Sequence, residues 1–379
     1  MSERPIRILQ IVGGMNRGGV ETWLMHVLRH IDRSRYQMDF LVHTEQPCAY
    51  DDEIRTLGSR IIPCMHPSRP LAYGRRFKEI LRQYGPYDVV HSHVHHFSGY
   101  TLWLAHQAGV PKRVAHSHSD TSRMQMRASL PRRAYLQTMK LLMRRYATDL
   151  IGVSRQSAAA LFGEGWRKDE RAQVLYCGID LTPFCEPPDR QIRSEFGIPQ
   201  NAFVVGHVGS FVPVKNHRFL IEIGECLISQ NPDIHLLLVG DGLLRQDIQR
   251  QVHASPILRT NVHFAGLRGD IPKIMVGAMD VFVMSSHYEG IPLVLLEAQA
   301  AGLPCVITDV ISDELEVVKP LFHRVSLLQP PGEWAAIIDN ANHPGSQEQR
   351  AKHLPKVFQS PFNLEYNLER LEHVYNSPV

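Results

Sequence analysis

Short apolar runs recur along the chain, each followed by a longer stretch whose apolar positions repeat at helical spacing. The first half carries "IRILQIV", "MDFLVH", "YDVVHS", "RVAHS" and "DLIGVS"; the second carries "AFVVGHVG", "IHLLLVG", "VHFAG", "DVFVMS" and "PCVIT". Runs this brief and this uniformly apolar predict strands buried on both faces, and their alternation with helical patterns predicts parallel sheets covered by helices on both sides. Between the halves, "DLTPFCEPPDRQ" places Pro183, Pro187 and Pro188 in a segment without apolar period, as a linker does. The fold class is therefore α/β, with two Rossmann-like doubly wound domains facing a cleft. The last segment, "SPFNLEYNLERLEHVY", opens on a Ser-Pro helix start and keeps helical spacing.

A chain of 379 residues with 44% hydrophobic content is long enough for two cores of ordinary size. The six cysteines (Cys48, Cys64, Cys177, Cys185, Cys226 and Cys305) form no C-x-x-C pair, so neither a disulfide framework nor a thiolate zinc site is expected. No run has the length and apolarity of a spanning helix, and "MSERPIRILQIVGG" passes straight into a strand pattern without a signal-peptide cleavage site, so a cytoplasmic protein is expected. The net charge of +3 is mild and no nucleic-acid partner is expected. Its distribution is uneven. Arg123, Arg127, Arg132, Arg133, Lys140, Arg144 and Arg145 are interleaved with Leu and Met and with no acid, a pattern that fits either an anionic membrane surface or a solvated helix packed on a core.

In open parallel sheets, ligands bind beyond the carboxyl ends of the strands, so the loops there carry the candidate chemistry. "SSHYEGIPLVLLEAQAAG" follows the run "DVFVMS"; Gly290 permits an unusual turn, and Pro292 suits the first position of a helix reaching Ala301. Free N–H groups and the positive end of a helix dipole would make an anion site. Glu297 would sit about 7.5 Å along the axis, with Glu289 in the loop ahead. A carboxylate at each end can accept hydrogen bonds from a sugar and from a ribose.

Glu, seven residues, Glu in a strand–loop–helix setting resembles the signature of retaining GT-B glycosyltransferases of family 4, including those that build capsule and exopolysaccharide. The resemblance implies that Glu289, Gly290, Ile291, Pro292, Leu293 and Glu297 hold the donor. "VVGHVGSFVPVKNHRFLI" is similar to the family's first C-terminal strand and loop, where an Arg and, five residues later, a Lys grip the donor diphosphate. Lys215 matches the lysine; Ser210 stands at the arginine position and brings no charge, which leaves Arg218, another cation or a helix dipole to compensate. "IVGGMNRGGVETWL" lacks the G-x-G-x-x-G dinucleotide spacing, and the resemblance places Gly18 and Gly19 near the transferred group. In "RVAHSHSD" it assigns His118, with His116 as the fallback, to the donor sugar. "VHFAGLRGDIPKIM" implies base contacts at Gly266 and Arg268, and "VGDGLL" brings Gly240, Asp241 and Gly242 to a turn.

The resemblance further implies that the final helix crosses back to the first domain, giving residues 1–184 with 362–379 as the acceptor domain and 185–361 as the donor domain. The implied reaction moves a hexose or N-acetylhexosamine with retention, from a nucleotide diphosphate sugar, expected to be UDP-linked, to a glycan or lipid-linked glycan. Glu289, His118 and Lys215 are its catalytic candidates. No Asp-x-Asp motif stands in a loop, so no metal and no cofactor beyond the donor are expected. Two alternatives stay open. One is an inactive sugar-nucleotide-binding protein, because Ser210 replaces a cation. The other is a zinc hydrolase, because "HSHVHH" over His91, His93, His95 and His96 has ligand spacing and strand alternation would put His91, His93 and His95 on one face if the strand persists that far.

Overall fold

The computed structural model describes residues 4–122, 125, 128–189, 191–341 and 347–378, so the expectations for Arg123, Met124, Met126 and Arg127 lie outside the described residues. The chain divides into two units, Met1–Ile179 with Leu364–Val379, and Asp180–Asn363. The first is built on β1 (Ile6–Val12), β2 (Tyr36–Val42), β3 (Ile61–Pro63), β4 (Val89–Ser92), β5 (Lys112–Ser117), β6 (Asp149–Gly152) and β7 (Ala172–Val174). These form one parallel sheet in the order β3-β2-β1-β4-β5-β6-β7. The second contains β8 (Phe203–Val208), β9 (Ile234–Val239), β10 (Val262–Gly266), β11 (Val281–Met284), β12 (Cys305–Thr308) and β13 (Phe322–Val325). Its order, β10-β9-β8-β11-β12-β13, is also parallel throughout. In both sheets the winding reverses beside the first strand, between β1 and β4 and between β8 and β11, which opens a binding crevice at those strand ends.

The ten expected runs are all strands. The three strands that the apolar pattern misses, β3, β7 and β13, are each a sheet edge. An edge strand pairs on one side only and keeps solvent on the other, so it needs no continuous apolar run; in β13, His323 and Arg324 are exposed.

Helix Ser98–Gln107 packs closely on helix Leu130–Tyr146, where a Cβ at Gly99 would overlap the Met139 carbonyl oxygen. The second helix turns Leu136, Met139 and Met143 inward and leaves Leu130 and Leu141 exposed. Its apolar residues thus divide between core and solvent. Helix Leu364–Asn376 belongs to the first unit: Lys112 Nζ donates to the Val374 carbonyl at 2.7 Å, and the Gly178 N–H donates to Asn367 Oδ1 at 2.6 Å.

In the second unit, Asp280 anchors the start of β11. It accepts from the Val204 N–H at 2.9 Å, from Arg193 at 2.8 Å and from Arg350 at 3.1 Å. Arg193 is buried, so removing its counter-ion strands a charge in the interior. Asp280→Ala is expected to lower the unfolding free energy by about 3 kcal/mol in urea titrations. A loss below about 1 kcal/mol, the size of a surface pair, would contradict the buried role.

Candidate active site

Four loops meet at the carboxyl edge of the second sheet. The loop after β8 is tied to the one after β9 by the Phe211 N–H donating to the Asp241 carbonyl and the Leu244 N–H donating to the Phe211 carbonyl, each at 2.9 Å. The loop after β10 joins through the Gly240 N–H to the Gly266 carbonyl at 2.8 Å, and the loop after β11 through the His287 N–H to the Val214 carbonyl at 2.8 Å. Gly240 and Gly242 have positive φ, +136° and +156°, and a Cβ at either would strike the backbone of Gly209 or Phe211. The Gly-Asp-Gly turn is thus the surface on which the Lys215 loop rests.

These connections bring Lys215 and Glu289 together: Nζ lies 2.6 Å from Oε1, with both side chains largely buried. Ser210 is exposed on the same loop and Arg218 is exposed on the helix that follows. The helix after Glu289 runs Leu293–Ala300 with Pro292 as its N-cap, one residue later than the first-position role expected for the proline. Pro292 has ψ of 99°, an extended value that delays the first helical residue. Glu297 stands in this helix, partly covered, and its carboxyl has no hydrogen bond or ion pair among the described residues. Burial pushes it up to about 7. The two glutamates therefore differ in state: one is paired with a lysine, the other takes up a proton as pH falls through about 7.

Arg268 is engaged rather than open. It pairs with Glu195 and with Asp270 at 2.8 Å and lies 5.4 Å over the Phe196 ring, while Gly266 turns with φ of +70°. Two histidines beneath the Lys215 loop went unnoticed in the sequence. His217 stacks on Phe211 at 4.0 Å and meets His207 edge-on at 4.9 Å; burial, then nearby charges, drive His217 down to about 2 and His207 to about 4. Their signals were the polar residue inside the apolar run "VVGHVG" for His207 and the "KNH" that starts at Lys215 for His217.

In the first unit, the glycine-rich loop follows β1. Gly18 is the N-cap of helix Gly19–His30, the Glu21 carboxylate folds over the space a Gly18 side chain would need, and Gly19 faces open space. Burial raises Glu21. His118 lies just beyond β5 and His116 within it. Trp23, from the helix after the glycines, packs against His93, His116 and His118 with ring centroids 6.1, 5.2 and 5.8 Å away. Burial lowers His91 and His118 to about 3 and His93 and His116 well below the ordinary value. The row expected for His91, His93 and His95 is corrected here. The strand ends at Ser92, and His95 takes φ of +52° in a short turn, bonding to His96 at 2.6 Å and Thr121 at 3.2 Å. His91, His93 and His116 instead offer one nitrogen each within 4.8 Å, a spacing that would accept a metal ion.

Residues 188–353 match the glycosyl transferases group 1, and residues 17–183 match Glycosyltransferase Family 4. EpsF of Bacillus subtilis (strain 168), named as a glycosyltransferase, is 36% identical over 382 residues, covering 99% of this chain and 98% of its own. The chain belongs to the GT-B glycosyltransferases of the capsular and exopolysaccharide type. Another relative, the Escherichia coli UDP-Gal:alpha-D-GlcNAc-diphosphoundecaprenol alpha-1,3-galactosyltransferase, is 30% identical over 228 residues, 59% of this chain and 58% of its own. Among solved structures, Anabaena Alr3699/HepE, determined with UDP and with UDP-glucose, has a TM-score of 0.77 at 22% identity and covers 97% of this chain and 98% of its own. The GT-B fold is thereby shared, and membership in the glycosyltransferase family replaces the hydrolase reading of the histidines.

Within this glycosyltransferase, Glu297 links the site to stability. Its folded-state value lies above the unfolded value of about 4.3, so its stabilising contribution is full below that pH and is lost as pH rises through about 7, a span worth about 4 kcal/mol. Glu297→Gln removes this dependence. Urea titrations should show the variant gaining on the wild type by about 2–3 kcal/mol between roughly pH 5 and pH 8; a constant difference would mean that the carboxyl is not held protonated.

Proposed function

We propose that this protein transfers a hexose or N-acetylhexosamine, with retention, from a UDP-sugar to a hydroxyl of a lipid-linked glycan. The Lys215–Glu289 pair carries the reading: an ammonium and a carboxylate held at the strand ends by four interlocked loops, with Glu297, unpartnered among the described residues, on the helix that follows. An incoming diphosphate competes with Glu289 for Lys215, and the freed carboxylate is then available to sugar hydroxyls. Lys215 and the N–H groups at Gly290, Ile291, Pro292-capped Leu293 and the following turn meet the charge that grows on the leaving phosphate. No metal is assigned to this step. Ser210 gives a neutral hydrogen bond in place of the family arginine, with Arg218 as the nearest replacement in sequence. Gly266 offers backbone to the base, and Arg268, fixed by Glu195 and Asp270, flanks it.

In the first unit, Gly18 and Gly19 leave backbone accessible to the transferred group and His118 hydrogen-bonds to the sugar. The acceptor proton passes to the departing phosphate oxygen during same-face attack, so no separate general base is required. UDP and UDP-glucose in HepE support a uridine donor, and the diphosphoundecaprenol named for the E. coli relative supports a lipid-linked acceptor.

The test is a transfer assay after a thermal-shift screen of UDP-, GDP- and ADP-sugars has selected the donor. Lys215→Ala and Glu289→Ala should each lower kcat by about a hundredfold or more, and the product should keep the donor's anomeric configuration. Near wild-type turnover in both variants would end the assignment. Donor binding with neither transfer nor slow donor hydrolysis would identify a non-catalytic binding protein instead.

The exposed Leu130 and Leu141 share their helix with Arg132, Arg133, Lys140, Arg144 and Arg145, which supports peripheral contact with anionic membrane. No described helix is long and apolar enough to cross a membrane. Flotation with phosphatidylglycerol-containing liposomes should recover the protein at low salt and lose most of it at high salt; absence of binding at both would refute membrane contact.

A further inference from the structure

Seven side chains of the first unit form one hydrogen-bonded line. Gln10 on β1 sits at its centre. Gln10 Oε1 lies 2.8 Å from His93 Nε2, and His93 Nδ1 lies 2.8 Å from His118 Nε2, whose Nδ1 in turn faces Cys177 Sγ at 3.9 Å. In the other direction, Gln10 Nε2 donates to Tyr375 Oη at 3.1 Å, Tyr375 Oη meets His91 Nδ1 at 2.9 Å, and His91 Nε2 meets His116 Nδ1 at 3.1 Å. His116 Nε2 is buried without a hydrogen-bond partner among the described residues.

Each neutral imidazole has one N–H and one bare nitrogen, so a single fixed direction sets every proton in such a line. Gln10 provides that direction. Its amide nitrogen also points to Met38 Sδ at 3.7 Å, and a thioether accepts but cannot donate, so the NH2 end belongs on the Met38 and Tyr375 side and the oxygen on the His93 side. His93 must then carry its proton on Nε2 to reach that oxygen. Its bare Nδ1 requires the proton of His118 on Nε2, which leaves His118 Nδ1 as a lone pair. Among the described residues the Cys177 thiol alone faces that lone pair, and burial raises this thiol, so it remains an S–H and a weak donor. On the far side, Tyr375 has accepted from Gln10 and gives its own proton to His91 Nδ1; His91 Nε2 gives to His116 Nδ1. All four imidazoles carry their proton on Nε2.

We infer that Gln10, His93 and Tyr375 are positioning residues that lock His118 in the Nε2–H form, so that Nδ1 exchanges the weak thiol donor of Cys177, 3.9 Å away, for a hydroxyl of the transferred sugar and accepts from it. This rests on the reading that His118 contacts that sugar. The C-terminal helix thereby acts on the site through Tyr375, a residue more than three hundred and fifty positions from Gln10 in sequence and hydrogen-bonded to it in the fold. A metal held by His91, His93 and His116 is the competing use of the same nitrogens, and it would have to displace the His91–His116 bond.

The lock is read without any activity measurement, by long-range nitrogen–proton correlation spectra of full-length, histidine-labelled protein, with signals assigned by His→Asn variants at positions 91, 93, 116 and 118. Four Nε2–H tautomers are expected. A His118 or His93 signal with the proton on Nδ1, or stoichiometric zinc in the purified protein by elemental analysis, overturns the inference. Gln10→Leu should leave His118 with mixed tautomers and cost roughly tenfold in kcat, whereas Gln10→Glu, which still accepts from His93, should restore the Nε2–H form and most of the loss. If Gln10→Leu does not fold, the wild-type spectrum decides alone. If the spectrum shows the lock but His118→Asn transfers at the wild-type rate, the sugar contact fails while the hydrogen-bonded line stands.

Discussion

Parallel strand pairing is the constraint from which the site follows. Each strand must be reached by a crossover over one face of its sheet, so every strand of a unit delivers its C-terminal loop to the same edge. At the points where the winding reverses, β1 beside β4 and β8 beside β11, neighbouring loops leave in opposite directions and a crevice remains. Lys215 and Glu289 are 74 residues apart and meet because β8 and β11 are adjacent there. Gln10 and His93 are 83 residues apart and meet for the same reason across β1 and β4.

Desolvation then decides the chemical state of what the loops bring in. A charge buried without a partner is costly, so the buried groups either pair, as Lys215 does with Glu289, or neutralise, as Glu297 and the histidines do. The two units use these solutions differently. At the second sheet an ion pair keeps a cation close at hand, which suits a diphosphate. At the first, a line of neutral imidazoles offers lone pairs and N–H groups, which suits hydroxyls.

Ser210 stands where the resemblance expects a cation. The loop that carries it is held by main-chain hydrogen bonds to the turns after β9 and β11, so its shape does not depend on an arginine at that position. His217 and Phe211 fill the space beneath, stacked 4.0 Å apart. Loop geometry and loop charge are therefore separable: Lys215 is placed by the backbone whatever stands at residue 210.

The sequence by itself determined the strands of the interior, the division into two α/β units and the placement of Lys215, Glu289 and Glu297 just beyond two of those strands, because an apolar run buried on both faces and a short motif after it are local signals. It missed β3, β7 and β13, whose edge positions remove the need for such a run. It placed His95 with His91 and His93, since alternation along a strand says nothing about where the strand stops. Only the tertiary structure decided which charges are paired, that Glu297 holds its proton to about 7, that Arg268 is already engaged, and that Tyr375 reaches Gln10. Those outcomes depend on burial and on partners far away in the chain, and neither quantity is a property of any short stretch of residues.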